Sequence, residues 1–123
     1  MDIVVELDFD NGPFMVFNAL SYTWGLSLAG SGGSPQLPSL SQDVMVTADS
    51  SASTTSQLKS ACELGSPLRR LTISAIDPAS ASGLRWTFDT AFVSSFQTGG
   101  DPSQATSVDS FAVNFLTSAV QPI

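Results

Sequence analysis

A chain of 123 residues with 42% hydrophobic and 12% charged residues, and a mean hydropathy of +0.20, is too apolar for a disordered segment. It is long enough to bury one core, so one domain over residues 1–123 is expected. Eleven acidic residues against four basic ones give a net charge of -7, which leaves no electrostatic footprint for phosphate backbones or anionic lipid; nucleic acid and membrane surfaces are not expected partners. The absence of histidine and the single cysteine, Cys62, remove Ser-His-Asp and Cys-His catalysis, an intrachain disulfide and the usual zinc frameworks.

Met1-Asp2-Ile3-Val4-Val5-Glu6 has no basic segment, apolar run or cleavage motif of a signal peptide, so cytoplasmic synthesis is expected. Ile3, Val5, Leu7 and Phe9 alternate with Asp2, Glu6, Asp8 and Asp10, which predicts a half-buried first strand with an acidic outer face. Asn11-Gly12 predicts a tight hairpin turn with positive φ. The second strand carries Leu20, Tyr22, Trp24, Leu26 and Leu28 on one face. Its other face, Ala19, Ser21, Thr23, Gly25 and Ser27, is made of small residues that let another backbone approach closely. Ala29 to Pro38 has two prolines and no hydrophobic period, and reads as a long loop of the kind that often carries function.

Leu40, Val44 and Val46 predict a third strand ending near Asp49. Thr54 and Gln57 form a capping box before a short helix over residues 55–64, with Leu58, Ala61 and Cys62 on its apolar face and Gly65 as its stop. Leu71, Ile73 and Ala75 resume the strand period as far as Asp77-Pro78. The closing pair of strands runs from Leu84 to Gln97 and from Val108 to Leu116 about a Thr98-Gly99-Gly100-Asp101-Pro102 turn. Period-2 alternation puts Leu84, Trp86, Phe88, Phe92 and Phe96 on one wall with Phe111, Val113 and Phe115, and leaves Arg85, Thr87 and Asp89 on the other. The fold class expected is mainly β, a compact two-sheet barrel or sandwich with one short flanking helix.

Chemistry-bearing candidates are few, and each has a simpler structural reading. Asp8-Phe9-Asp10-Asn11-Gly12 lacks the ligand spacing and distal Glu of a calcium loop, and reads as a turn flanked by solvated carboxylates. Gly30-Ser31-Gly32-Gly33 has no Lys-Ser/Thr pair and no following helix, so it is not a phosphate cradle. Cys62, with no base beside it, reads as a structural thiol. The aromatic residues other than Phe14 and Phe17 point inward, which favours core packing over a sugar platform. No catalytic residue, metal ligand or cofactor site is expected.

The ordered segments resemble a family. Ala19-Leu20-Ser21-Tyr22-Thr23-Trp24-Gly25, the loop Ala29 to Ser34, Ser41-Gln42-Asp43, the helix Ser56 to Gly65, Val93-Ser94-Ser95-Phe96-Gln97-Thr98-Gly99-Gly100 and Ala112-Val113-Asn114-Phe115 are similar in order and spacing to the Hcp (haemolysin-coregulated) tube proteins of type VI secretion systems. The residues carrying this likeness are Trp24, Gly25, Asp43, Leu58, Gly65, Ser95, Gln97, Gly99, Gly100, Asn114 and Phe115. The resemblance implies a non-enzymatic structural subunit whose hexameric rings stack into a hollow tube. That tube works with sheath, spike or baseplate and effector proteins, and is expelled to the extracellular space or a target cell. It also implies that Gly30, Ser31, Gly32, Gly33, Ser34, Pro35 and Leu37 make ring-to-ring contacts. Alternatives are a tail-tube subunit of a phage-like contractile particle, and a monomeric ligand- or carbohydrate-binding β-sandwich.

Overall fold

The computed structural model describes residues 1–29 and 39–123. Its elements are β1 Asp2–Phe9, β2 Phe14–Ala19, β3 Ser21–Ala29, β4 Ser39–Asp49, α1 Ala52–Leu64, β5 Pro67–Asp77, β6 Ser82–Gly99 and β7 Val108–Pro122. All strand pairings are antiparallel, in the order β2-β1-β5-β6-β7-β4-β3. The mainly β fold with one helix matches the expectation.

The two ends of that order, β2 and β3, are separated in the chain by Leu20 alone. The sheet must therefore curl until the end of β2 meets the start of β3 at Leu20, whose N–H donates to the Thr47 carbonyl at 2.7 Å. This corrects the reading of residues 19–28 as part of one strand with Leu20 facing inward. Leu20 is the corner between two strands and is 55% exposed, because a chain that turns from one sheet into the other presents the corner side chain to solvent.

A crease divides the sheet into two layers. Thr90 has φ 55° within β6, and β5 carries one extra residue, Arg69, where Asp8 pairs with Arg70 and Phe9 with Leu68. The inward phase slips at this line in each strand. Leu68 and Leu71 are both buried although three residues apart, and so are their partners Ala91 and Phe88. A strict period of two would place Phe92 inside with Phe88. The slip instead turns Phe92 outward, 44% exposed, and puts Ala91 and Val93 in the core. A second irregularity, at Ser94 between the pairs Val93–Val113 and Ser95–Ala112, restores the phase, so Phe96 packs against the core again. Leu84 is also exposed rather than part of the wall.

Among the described side chains the interior is one cluster that includes Val5, Leu7, Val44, Leu71, Phe88, Phe111 and Phe115, with Tyr22 and Trp24 of β3 packed against it. Trp24 sets its edge against Trp86, Phe88 and Phe115, with ring centroids 5.0, 5.2 and 5.9 Å apart. These inclined geometries are favoured by the ring quadrupoles. Trp86 Nε1 donates to the Tyr22 hydroxyl at 3.3 Å, satisfying the indole at the wet end of the cluster.

The helix starts three residues earlier than its expected start at Thr55. Ser51, not Thr54, is the N-cap, and its hydroxyl accepts from the Thr54 N–H at 3.2 Å. Gly65 ends the helix at φ 60°, as anticipated. Leu58 and Ala61 are buried and half-buried Cys62 packs against the core, so α1 is held by its apolar side, as a helix of marginal intrinsic stability must be. Its N-terminal turn is also tied to β7, because buried Asp109 accepts from the Ser50 hydroxyl at 2.6 Å and from the Thr55 hydroxyl. Neither Asn11 nor Gly12 has positive φ. The β1–β2 connection is longer than a two-residue hairpin, since the last paired residues are Asp8 and Phe14.

Candidate assembly interface

Pairing across four strands brings five of the residues that carry the family likeness, Gly25, Asp43, Ser95, Gln97 and Asn114, onto one surface. Gly25 is opposite Asp43, Asp43 opposite Asn114, and Asn114 opposite Phe92, forming a row across β3, β4, β7 and β6. Asn114 Nδ2 donates to Asp43 Oδ1 at 3.1 Å, which locks the row. The next row is Thr23, Met45, Ala112 and Ser95, and a third is Ser21, Thr47, Ser110 and Gln97. The Thr47 and Ser110 hydroxyls lie 3.2 Å apart in a hydrogen bond.

These three rows contain no Lys or Arg and one carboxylate, Asp43. Phe92 and Met45 stand exposed among small side chains. The opposite outer face is charged. There Arg70 Nε donates to Asp89 at 2.7 Å, Arg85 Nε donates to buried Ser74 at 3.2 Å, and Glu6 and Asp8 line β1. The expectation that Arg85, Thr87 and Asp89 lie on the face away from the aromatic wall is met, with Thr72 and Thr87 paired between the two arginines.

Among the described residues, β3 pairs only with β4 and β2 only with β1, so each presents an open edge. Natural sheets usually blunt such edges with Lys, Pro or other charges; Ser21–Ala29 contains none of these.

The other likeness residues have structural placements. Trp24, Leu58 and Phe115 belong to or pack on the core, Gly65 caps α1, and Gly99 closes β6 opposite Val108. A Cβ on Gly100 would lie 3.3 Å from that of Ser107, so this turn approaches itself closely. Gly30, Ser31, Gly32, Gly33, Ser34, Pro35 and Leu37, the expected ring-to-ring stretch, lie outside the described residues. What sequence reasoning missed is Phe92, and the one local signal was the Thr90 and Ser94 interruption of its aromatic alternation.

No family profile matches the sequence, and no curated protein matches it. Solved structures do match. The chain is similar to the Hcp1 protein of E. coli EAEC 042, with 8% identity, TM-score 0.79, and coverage of 100% of this chain and 98% of that one. It is similar to a type six secretion system protein at 16% identity and TM-score 0.74, covering 97% and 82%. It is also similar to a chain of the anti-feeding prophage baseplate at 15% identity and TM-score 0.61, covering 97% and 91%. The fold is therefore one shared with Hcp proteins, with a type six secretion system protein and with a chain of a prophage baseplate. Within that class the chain has the Hcp fold over nearly its full length.

Proposed function

We propose that the chain is a non-enzymatic structural subunit of the inner tube of a type VI secretion system, closing into hexameric rings that stack into a hollow tube and carry effectors. The observation that carries this reading is the cation-free outer face over β3, β4, β7 and β6, with Phe92 and Met45 exposed and the open β3 edge beside it. In a chain of net charge -7, this surface carries a single carboxylate, and its small residues let backbones approach. A contact between unlike patches whose rotation closes gives a ring, and stacking of rings gives an open-ended repeat. The subunit is made in the cytoplasm and leaves it with the tube, in company with sheath, spike or baseplate and effector proteins. No helix among the described residues is long and apolar enough to cross a membrane.

A tail-tube or baseplate subunit of a phage-like particle is the second reading, favoured by the anti-feeding prophage likeness; it uses the same contacts in another machine. The carbohydrate-binding sandwich is disfavoured because Trp24 and Trp86 pack edge-to-face against each other and the core.

Light scattering of the purified protein at rising concentration tests the reading. A species of about six times the 12.8 kDa of one chain supports it, and a monomer that persists contradicts it. Gly30 to Pro38 carries the ring-to-ring contact in this proposal. Gly32→Asp with Gly33→Asp repeats like charges around the ring face, so single rings that no longer stack are expected; a fall in monomer stability would contradict a loop role for these positions.

A further inference from the structure

Three of the cations have carboxylates of their own. Lys59 pairs with Glu63 on α1, Arg69 lies 3.9 and 3.8 Å from Asp8 and Asp10, and Arg70 pairs with Asp89. Arg85 makes no ion pair among the described residues. Its register neighbours are Ser74 and Gln121, and Gly83 and Thr87 stand two residues away on β6; all four are neutral. Arg85 is nonetheless held in place, because its Nε donates to the Ser74 hydroxyl at 3.2 Å and Ser74 is only 4% exposed. Both terminal nitrogens of this half-buried guanidinium are thus left over, and they are the pair that meets a carboxylate side by side.

We propose that Arg85 receives Asp43 of a neighbouring copy, so that the charged outer face of one subunit is the mate of the cation-free face of the next; the inference rests on the ring reading above. Charge complementarity selects this occupant. Asp43 is the one carboxylate of the cation-free face, it is exposed, and its Oδ1 is held by Asn114, which leaves Oδ2 for a partner. Position agrees with charge. Phe92 lies two strands across from Asp43 through Asn114, and Val4 lies two strands across from Arg85 through Ser74. Two strand spacings make each separation about 10 Å, so seating Asp43 on Arg85 lets exposed Phe92 rest on half-buried Val4. Each copy then gives its carboxylate to one neighbour and its guanidinium to another, and a closed ring leaves neither unmatched. A pair that is partly withdrawn from water in this way attracts more strongly than one in bulk solvent.

Charge reversal of the full chain tests this by sedimentation. Asp43→Arg alone and Arg85→Asp alone set like charges against each other at every contact, and each is expected to lower the assembled fraction about tenfold or more, the effect of losing a close charge pair at an interface. Mixed in equal amounts, the two variants restore both contacts in an alternating ring, so assembly is expected to return. Circular dichroism melting checks that each variant folds. Where a reversal lowers the melting temperature, Asp43→Asn and Arg85→Gln remove the charges without reversing them, and weaker assembly is expected from each. Folded variants that assemble as well as the wild type overturn the pair while leaving the ring reading intact. Losses that mixing does not repair also overturn it, since the two side chains then act separately. A wild type that stays monomeric overturns the ring reading, and this inference with it.

Discussion

Thr90 holds a β-branched side chain at φ 55°, in a region that costs an L-residue about 1–2 kcal/mol. The matching extra residue at Arg69 in β5 shows why the strain persists: both strands must turn together for the sheet to fold over its own core. Thr90→Gly is therefore expected to be neutral or stabilising by up to about 1 kcal/mol, whereas Thr87→Gly, two pairs from the crease in regular strand, costs about 1 kcal/mol. Urea unfolding of the two variants checks the contrast.

Gly83 is constrained in the opposite way, because a Cβ there would lie 1.9 Å from the Ala75 carbonyl oxygen. Gly83→Ala must push the β5 and β6 backbones apart, a loss of roughly 2–4 kcal/mol. Asp109 is the third residue on which the fold leans. Burial pushes its carboxyl up, but the Ser50, Thr55 and Thr98 hydroxyls together hold it below its ordinary value of 3.8. Its stabilisation is thus complete above the unfolded carboxyl's range and is lost as pH falls through the lower folded value. Asp109→Asn should lose about 1–3 kcal/mol at neutral pH and show a flatter decline in acid, read from thermal melts across pH.

At the scale of elements, β6 explains both what could be read from sequence and what could not. The alternation of Ile3, Val5, Leu7 and Phe9 was legible because β1 keeps its period of two throughout and one face is buried. The Gly65 stop was legible because an αL cap has a chemical signature in the chain. The crease was not, since Thr is an ordinary strand residue and only the pairing of β5 with β6 forces one into positive φ. Ser51 as N-cap is not legible for a similar reason: Thr54 and Gln57 offer a local capping pattern of their own, and the contact that ties the helix start to β7, from Thr55 to Asp109, spans 54 residues of sequence. The candidate surface was half visible, as the small-residue face of β3, while Phe92 was assigned to the wrong side. Phe88→Ala should cost about 3–5 kcal/mol, while Phe92→Ala costs under ~1 kcal/mol in the monomer and acts instead on assembly. Unfolding and sedimentation of the same two variants separate these effects.

For the whole molecule, the barrel distributes its polarity by face. Charge is gathered over β1, β5 and the first half of β6, and the likeness residues Gly25, Asp43 and Asn114 share the cation-free face with Phe92. In the proposed ring, the cation-free face of one copy is the surface that meets its neighbour. Phe92→Glu adds a second carboxylate, beside Asp43, to the cation-free face and is expected to lower the fraction of assembled species at least tenfold, about 1.4 kcal/mol, without lowering the melting temperature of the monomer. Negative-stain electron microscopy of the concentrated wild-type protein tests the central claim most directly. The account predicts closed six-fold rings with a central channel, some stacked into short tubes; a field of single particles of monomer size at every concentration would contradict it.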